Sequence, residues 1–306
     1  MGQSHEKGFP FLTSVTKLTL LGKRHRDSRP GERFSRTPGD NSVTHWESTM
    51  RRKILAAALL IGTVSAPQLQ AQEASAAVAA SAAPAVDPMA VQALQKMGAH
   101  LQSMKRFSVS TDLTGERVLE DGQKLQHTAT ADLEVDRPNK IRVVMRSARS
   151  EREVFYNGTT VWLYTPAQKY YSTVPFDGNL KALVEQFRIR FGVEFPLADL
   201  FVWGTPDAPI DQFESAMYAG QDYIGSDVCD HYAFRQQDLD WQIWIKAGAS
   251  PLPRKLVITR RDDDARPQSS SIIDWNVSPA FTNAVFTFKP PAGTKKIDII
   301  PIKTKE

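Results

Sequence analysis

The sequence predicts a mainly β fold with a helical cover (α+β): a strongly curved antiparallel sheet or unclosed barrel of about 11 strands, lidded by about three helices. Three observations lead to this prediction. Strand-like runs with alternating apolar residues occupy most of residues 107–276, turn-forming residues separate them, and helical apolar spacing is confined to three segments. Strands joined by short turns pair antiparallel, so one large sheet accommodates this order.

The amino-terminal part of the chain contains the pattern of an export signal. Met50 to Lys53 gives a cationic start, Ile54 to Val64 is apolar and small, and Ala71 offers a cleavage site before Gln72. These are the three parts of a secretory signal peptide, whose apolar core is too short to span a bilayer. An internal apolar stretch of a cytosolic protein is the alternative interpretation.

Four regions follow from the export signal. Residues 1–49 show no sustained period of 2 or 3.6, so we expect them to be disordered and untranslated, with Met50 as the initiator. We expect residues 50–71 to be the signal peptide and residues 72–86 to be an Ala-rich linker. Residues 87–306 are then a single β half-barrel domain.

Charge and cysteine content narrow the class of protein. The whole chain has a net charge of +4, but residues 72–306 contain 27 basic and 29 acidic residues, so the basic excess belongs to the leader. This argues against nucleic-acid binding. The single cysteine, Cys229, excludes an intramolecular disulfide, and no cysteine follows the cleavage site as a lipobox would require. We therefore expect a soluble periplasmic protein.

The first element of the domain is an amphipathic helix. Asp87 and Pro88 are a typical N-cap and first helical residue. Leu94, Met97, Leu101 and Met104 follow at spacings of three and four residues, which places them on one stripe. The helix ends near Lys105-Arg106, where cations complement its dipole.

From Phe107 the apolar period changes to 2, and a meander of about six strands begins. Asp121-Gly122 and Asn157-Gly158 indicate two-residue hairpin turns of type I′, in which both central residues have positive φ. The runs after the first strand are Gln126 to Asp136, Lys140 to Arg146, Arg152 to Tyr156, Thr160 to Tyr164 and Lys169 to Val174.

A helical insertion then interrupts the strands. Asn179 to Phe191 has apolar residues at helical spacing, and Pro196 to Trp203 forms a second short segment. The terminal run Phe286-Thr287-Phe288 begins as a strand that Pro290-Pro291 stops. Between these, five more strands are predicted at Ala219 to Ile224, Val228 to Gln236, Trp241 to Lys246, Arg254 to Arg261 and Ser269 to Asn276.

Several segments of the second half form a recognisable pattern. They are Cys229-Asp230-His231, Phe234-Arg235-Gln236, Asp240 to Ile245, Pro251 to Lys255, Phe286-Thr287-Phe288 and Pro290 to Gly293. With them the chain resembles, over about Asp87 to Pro301, a bacterial family of predicted periplasmic proteins of unknown function. That family is more distantly similar to the lipoprotein-carrier superfamily of LolA, LolB and LppX. The resemblance implies a LolA-like unclosed barrel of about eleven strands over a hydrophobic cavity, and it assigns no functional residue.

The titratable residues do not form a site for catalysis, a metal or a cofactor in the sequence. His100, His127 and His231 fall on different predicted elements. Within Cys229-Asp230-His231, a core cysteine beside a hydrogen-bonded strand histidine competes with a metal or nucleophile site. Asp262-Asp263-Asp264 lacks the spaced ligands of a calcium loop and indicates a turn. We therefore predict no catalytic residues, no metal and no cofactor, and expect the protein not to be an enzyme.

The aromatic and apolar content points instead to a hydrophobic ligand. Trp241 and Trp244 occupy opposite faces of one predicted strand, so neither face of that strand is plainly solvated. We predict a soluble periplasmic carrier or binder of a lipid, acylated or other hydrophobic ligand. The predicted cavity residues are Val109, Leu133, Val143, Phe155, Trp162, Phe187, Phe191 and Trp241.

The expected partners follow from this function. They are a hydrophobic ligand or lipidated protein and a protein of the inner or outer membrane, with no nucleic acid and a monomeric chain. An envelope sensor or regulatory interaction module of the same fold is the first alternative. An uncharacterised enzyme is the second.

Overall fold

The structure, a computed structural model, describes residues 85–302. Its first helix, α1 (Pro88–Ser103), precedes six strands, and a second helix, α2 (Leu180–Phe191), precedes the remaining strands. The strands are β1 (Arg106–Val118), β2 (Lys124–Asp136), β3 (Lys140–Ser147), β4 (Ser150–Tyr156), β5 (Thr160–Thr165), β6 (Tyr170–Pro175), β7 (Ser215–Ile224), β8 (Asp227–Gln236), β9 (Leu239–Lys246), β10 (Pro253–Arg260), β11 (Gln268–Asn276) and β12 (Lys295–Lys296).

All described strands belong to one unclosed sheet in the order β12-β6-β5-β4-β3-β2-β1-β11-β10-β9-β8-β7. The predicted half-barrel is confirmed, but the sheet has 12 strands rather than about 11. The strand that the sequence missed is β12, which pairs in parallel with β6 through two residues only. Alternation of apolar residues cannot reveal so short a strand. The strand expected around Phe286 is instead a 3-10 turn, Asn283–Phe286.

The helical cover also differs from the prediction of about three helices. α1 begins as expected, because the Asp87 carboxylate accepts a hydrogen bond from the Met89 amide at 2.8 Å. α2 ends at Gly192 in the left-handed conformation, whose amide donates to the carbonyl of Arg188. The third predicted helix is the four-residue 3-10 turn Ala198–Phe201, and it follows Leu197, whose φ of 54° prevents a longer helix.

The turn signals are placed correctly, but their predicted geometry was wrong. Gly122 and Gly158 have φ of 84° and 106°, whereas Asp121 and Asn157 are not among the residues with positive φ. The side chains explain the difference. The Asn157 amide oxygen accepts hydrogen bonds from the amides of Thr159 and Thr160, each at 3.0 Å, which closes an Asx-type turn instead of type I′.

Residues 176–214, which we call the crossover, connect the two sides of the sheet. They run from β6 to β7, and β7 is the edge strand furthest from β6. Ten inter-strand steps separate these strands, an arc on the order of 48 Å at about 4.8 Å a step. The crossover contains α2 and the 3-10 turn, so the helical cover and the edge-to-edge connection are one segment.

Two apolar clusters lie on opposite faces of the sheet. The inner cluster joins one face of the strands to α1 and the crossover, and its members include Leu94, Phe107, Leu133 and Phe187. The outer cluster consists of Phe155, Tyr164 and Phe288 with Trp162 and Tyr171 packed on it. Phe288 comes from the carboxyl-terminal segment, residues 277–302, which therefore covers part of the outer face.

The predictions for residues 1–49, the signal peptide and most of the linker lie outside the described residues. Val86, at the end of the predicted linker, forms a parallel bridge with Ala216 of β7. Within residues 85–302, neither helix is long and apolar enough to cross a bilayer.

A glycine pair sets the distance between α1 and the crossover. A Cβ atom at Gly98 would lie 2.5 Å from the amide nitrogen of Gly204 and 2.8 Å from its Cα. Gly204 itself has a φ of 82°, which disfavours any side chain. The two backbones are therefore in direct contact, and this contact brings the 3-10 turn down onto α1.

We predict that Gly98→Ala lowers the free energy of unfolding by about 1–3 kcal/mol, because the added methyl overpacks a backbone contact. Helix propensity alone would favour alanine by about 1 kcal/mol. The measurement is urea unfolding of the purified protein. Ala99→Gly, at the exposed next position, is the control for propensity. A Gly98→Ala variant that is more stable than the native protein would contradict the close contact.

Candidate functional site

Six of the eight predicted cavity residues lie together between the sheet and its cover. Val109, Leu133, Val143, Trp241 and Phe187 are at most 2% exposed, and Phe191 packs against the same inner cluster. They come from four strands and α2, which the crossover brings over the sheet. Phe155 and Trp162 lie instead in the outer cluster under Phe288, on the opposite face from the other six.

The crossover meets the sheet mainly through apolar side chains. Measured between ring centroids, Phe176 lies 5.4 Å from Tyr156 of β4 and, within the crossover, 6.1 Å from Phe187 of α2. At the other end, the ring of Trp203 lies 5.6 Å from that of Trp241. Such contacts have no strong directional requirement, so other apolar groups can replace them.

Hydrogen bonds anchor the crossover at its two ends, at the end of α2 and around the 3-10 turn. The Leu180 amide donates to the carbonyl of Pro138 at 2.9 Å, and the Tyr156 hydroxyl donates to the carbonyl of Gly178 at 2.7 Å. Gln102 of α1 donates from its amide nitrogen to the carbonyl of Trp203 at 2.7 Å. These bonds hold the ends of the helical parts, and α2 itself forms no ladder with the strands.

Arg137, at the end of β2, is the cation that sequence reasoning missed. Its guanidinium donates to Gln102 at 3.3 Å and to the carbonyl of Leu200 at 3.2 Å, which links β2, α1 and the 3-10 turn. It lies over the rings of Phe107 and Phe201, at 5.8 and 5.4 Å. Burial lowers the pKa of Arg137, and its Nε has no hydrogen-bond partner among the described residues. No sequence pattern marks this arginine, because its burial depends on tertiary contacts with α1 and the 3-10 turn.

Asp199 is a second polar group within the cover. It belongs to the 3-10 turn, and its backbone carbonyl accepts hydrogen bonds from the amides of Val202 and Trp203. Burial raises the pKa of its carboxyl from 3.8 to about 8, and a hydrogen bond from its own amide offsets only part of this rise. Asp199 therefore carries a proton in the folded state over much of the neutral range.

In the Cys229-Asp230-His231 run, the structure places a core cysteine beside a hydrogen-bonded strand histidine. Cys229 is fully buried, and burial raises the pKa of its thiol, which disfavours the nucleophilic thiolate. His231 stacks on Trp244 with ring centroids 4.0 Å apart and shares a hydrogen bond of 3.0 Å with Gln242. Within residues 85–302, no group of three or more His, Cys, Asp or Glu residues is placed to hold a metal ion.

A groove of about 410 Å³ lies beside the inner cluster. It runs over the middle of β1 and β2 and the end of β3 and is formed by Asp112, Leu113, Thr114, Thr128, Ala129, Thr130, Arg146, Ser147 and Ala148. Polar side chains are in the majority in this lining, which also includes Leu113 of the inner cluster. The other members of the inner cluster are buried between the sheet and its cover.

The sequence profile of a family described as predicted periplasmic protein (DUF2092) matches residues 90–300. The chain belongs to this family. The match confirms the resemblance noted in the sequence and agrees with a location in the periplasm. No curated protein matches the chain by sequence.

Solved structures similar to the chain include two mycobacterial proteins. LprF from Mycobacterium bovis is 13% identical, with 69% of this chain and 100% of that chain covered and a TM-score of 0.40. The lipoprotein LppX from Mycobacterium tuberculosis is 11% identical, with 64% and 98% covered and a TM-score of 0.41. A LolA superfamily protein from Nitrosomonas europaea is 11% identical, with 65% and 97% covered and a TM-score of 0.30. At these scores the likeness carries no argument about function.

We predict that Asp199 makes stability depend on pH. Its folded-state pKa lies above the unfolded value, so the folded chain retains a proton that the unfolded chain has released between about pH 4 and pH 8. The free energy of unfolding therefore falls as pH rises through this window. Asp199→Asn, which is neutral at every pH, should raise the Tm at pH 8 and change it little near pH 4.

Thermal unfolding from pH 4 to pH 9 measures this effect. Asp211→Asn is the control, because it removes a carboxylate from an exposed position of the same crossover. The Tm of the control variant should depend on pH as the Tm of the native protein does. The same pH dependence of Tm in Asp199→Asn as in the native protein would contradict the protonated state of Asp199.

Proposed function

We propose that this chain is a non-catalytic periplasmic carrier or binder of a lipid, acylated or other hydrophobic ligand. The ligand lies between the inner face of the half-barrel and the crossover. A protein of the inner or outer membrane would deliver or receive it. The observation that supports this function is one continuous apolar cluster between the inner face of the sheet and its cover.

The chemistry of the inner face fits an extended hydrocarbon chain. Each methylene transferred from water to an apolar environment contributes about 0.8 kcal/mol, so a sixteen-carbon chain contributes roughly 10 kcal/mol before the costs of association. We assign to the lining the six predicted residues of the inner cluster. They are Val109, Leu133, Val143, Phe187, Phe191 and Trp241. Phe155 and Trp162, in the outer cluster, support the packing of Phe288 instead.

Entry of a ligand requires the crossover to move away from the sheet. The strands keep their own hydrogen-bond ladder when it moves, because the crossover adds no strand to the sheet. The apolar contacts of Leu183, Val184 and Phe187 are lost on opening and are replaced by contacts with the ligand. Opening and binding therefore exchange one set of apolar contacts for another, which keeps the net free-energy cost of opening low.

Ligand binding is tested by native mass spectrometry of gently purified protein and by titration with a fluorescent sixteen-carbon fatty acid. We expect a bound lipid-sized molecule or, after delipidation, saturable binding near one probe per chain. A bare chain that binds no probe would overturn the proposal.

We predict that Phe187→Ala changes ligand binding whereas Phe155→Ala does not. Both substitutions remove a buried phenyl ring and should lower the free energy of unfolding by about 3–5 kcal/mol. Phe187 faces the proposed ligand, so its removal enlarges the site and should alter the Kd for the probe at least about fivefold. Phe155 packs on the outer face and is the matched control.

Probe titration and urea unfolding of the two variants provide the comparison. The expected result is similar destabilisation with different effects on Kd. Equal effects on Kd would mean that the probe does not bind on the inner face.

A further inference from the structure

We infer that the corner of the molecule where the carboxyl-terminal segment meets α2 is a docking surface for a lipid bilayer with anionic headgroups. Exposed apolar side chains are concentrated there. Ile300 is 81% exposed, Ile302 and Ile189 are each 52% exposed, Ile297 is 45% exposed and Tyr170 is 40% exposed. We call these five residues the tail patch.

Backbone contacts hold the tail patch together. The Ile297 amide donates to the carbonyl of Tyr171 on β6 at 2.9 Å, and the Ile302 amide donates to the carbonyl of Arg190 in α2 at 2.8 Å. Between them the segment runs from the edge of the sheet to the end of α2. The isoleucines are thus fixed at the surface and are not the ends of a loose chain.

Cations without ionic partners surround the isoleucines. Lys169, Arg190, Lys295 and Lys296 are all exposed, and within residues 85–302 none of them forms an ion pair. Arginines elsewhere on the sheet differ, since Arg142 is paired with both Glu134 and Glu153. Residues 289–302 contain a single acidic residue, Asp298.

This combination favours a bilayer over a protein partner. Apolar side chains flanked by lysines, with an aromatic residue beside them, are typical of segments that bind at a membrane interface. The apolar groups enter the acyl boundary, and the unpaired cations meet anionic headgroups. The mature chain has a small net negative charge, so attraction to an anionic surface must be local to such a patch.

The inference adds a second site to the proposed function and does not depend on it. The tail patch contacts α2, the helix of the crossover, through Arg190 and through Ile302 beside Gly192. Docking here would bring the cover of the inner face next to the bilayer. A protein that binds no hydrophobic ligand would still dock, so the two proposals fail separately.

The test is co-sedimentation of the natively processed protein with vesicles of phosphatidylcholine alone or mixed with phosphatidylglycerol. We expect binding to the anionic vesicles that weakens as salt is raised. Near an anionic surface each lysine contributes about fivefold in affinity, so K295E/K296E should lower partitioning at least about twentyfold. I297S/I300S should lower it at least about tenfold by removing the inserted side chains.

M217S/Y223S is the matched control, because Met217 and Tyr223 are 56% and 76% exposed on the opposite edge of the sheet. It should change partitioning less than about twofold, and thermal unfolding should show that all variants fold. Absence of vesicle binding, or equal loss in the control, would overturn the inference. Sedimentation velocity distinguishes a protein interface, since I297S/I300S would then dissociate a dimer instead of releasing vesicles.

Discussion

The need to cover the apolar inner face of the sheet determines the rest of this structure. The strands satisfy their backbone groups in one ladder from β6 to β7, but this ladder leaves the side chains of the inner face uncovered. α1 covers part of this face through Leu94, Met97 and Leu101. The remainder is covered by the crossover, which contributes Leu183 and Phe187 from α2 and Trp203 beyond the 3-10 turn. One segment therefore completes the cover of the inner face.

The outer face is stabilised by different interactions. Arg142 and Arg146 each bridge two carboxylates across neighbouring strands, and Phe288 closes the outer aromatic cluster. These contacts stabilise the outer face of the sheet without involving the crossover. The outer face is thus held mainly by ionic pairs and ring contacts between strands, whereas the cover combines apolar contacts with hydrogen bonds at its ends and around the 3-10 turn. The proposed opening of the cover leaves the hydrogen-bond ladder of the sheet intact.

Local patterns predicted most of the sheet and its first helix. Alternation from Phe107 to Leu113 and the cap at Asp87 and Pro88 depend on neighbours in sequence, so they were sufficient to place β1 and α1. The two-residue strand β12 could not be predicted in this way, because its pairing with β6 depends on the path of the carboxyl-terminal segment. The third predicted helix is only a 3-10 turn, because Leu197 before it has a φ of 54° that the apolar spacing of the segment does not indicate.

In the candidate site too, features that depend on tertiary contacts could not be predicted from local sequence patterns. Period 2 separates the two faces of β4 and β5, but it does not tell which face meets the crossover when both are buried. Phe155 and Trp162 therefore had an apolar environment, as expected, on the face that Phe288 covers. Arg137 and Asp199 had no sequence signature at all. Their environments arise from burial, which lowers the pKa of Arg137 and raises that of Asp199.

The central claim is that the crossover opens separately from the sheet and that a hydrophobic ligand binds beneath it. Native-state hydrogen exchange, read by mass spectrometry with and without a fatty acid, tests both parts. We predict that the opening that exposes amides of residues 180–203 costs less free energy than the opening that exposes those of β1 to β3. We also predict that the ligand slows exchange most in the crossover and α1. Exchange of the crossover only together with the sheet, unchanged by the ligand, would contradict it.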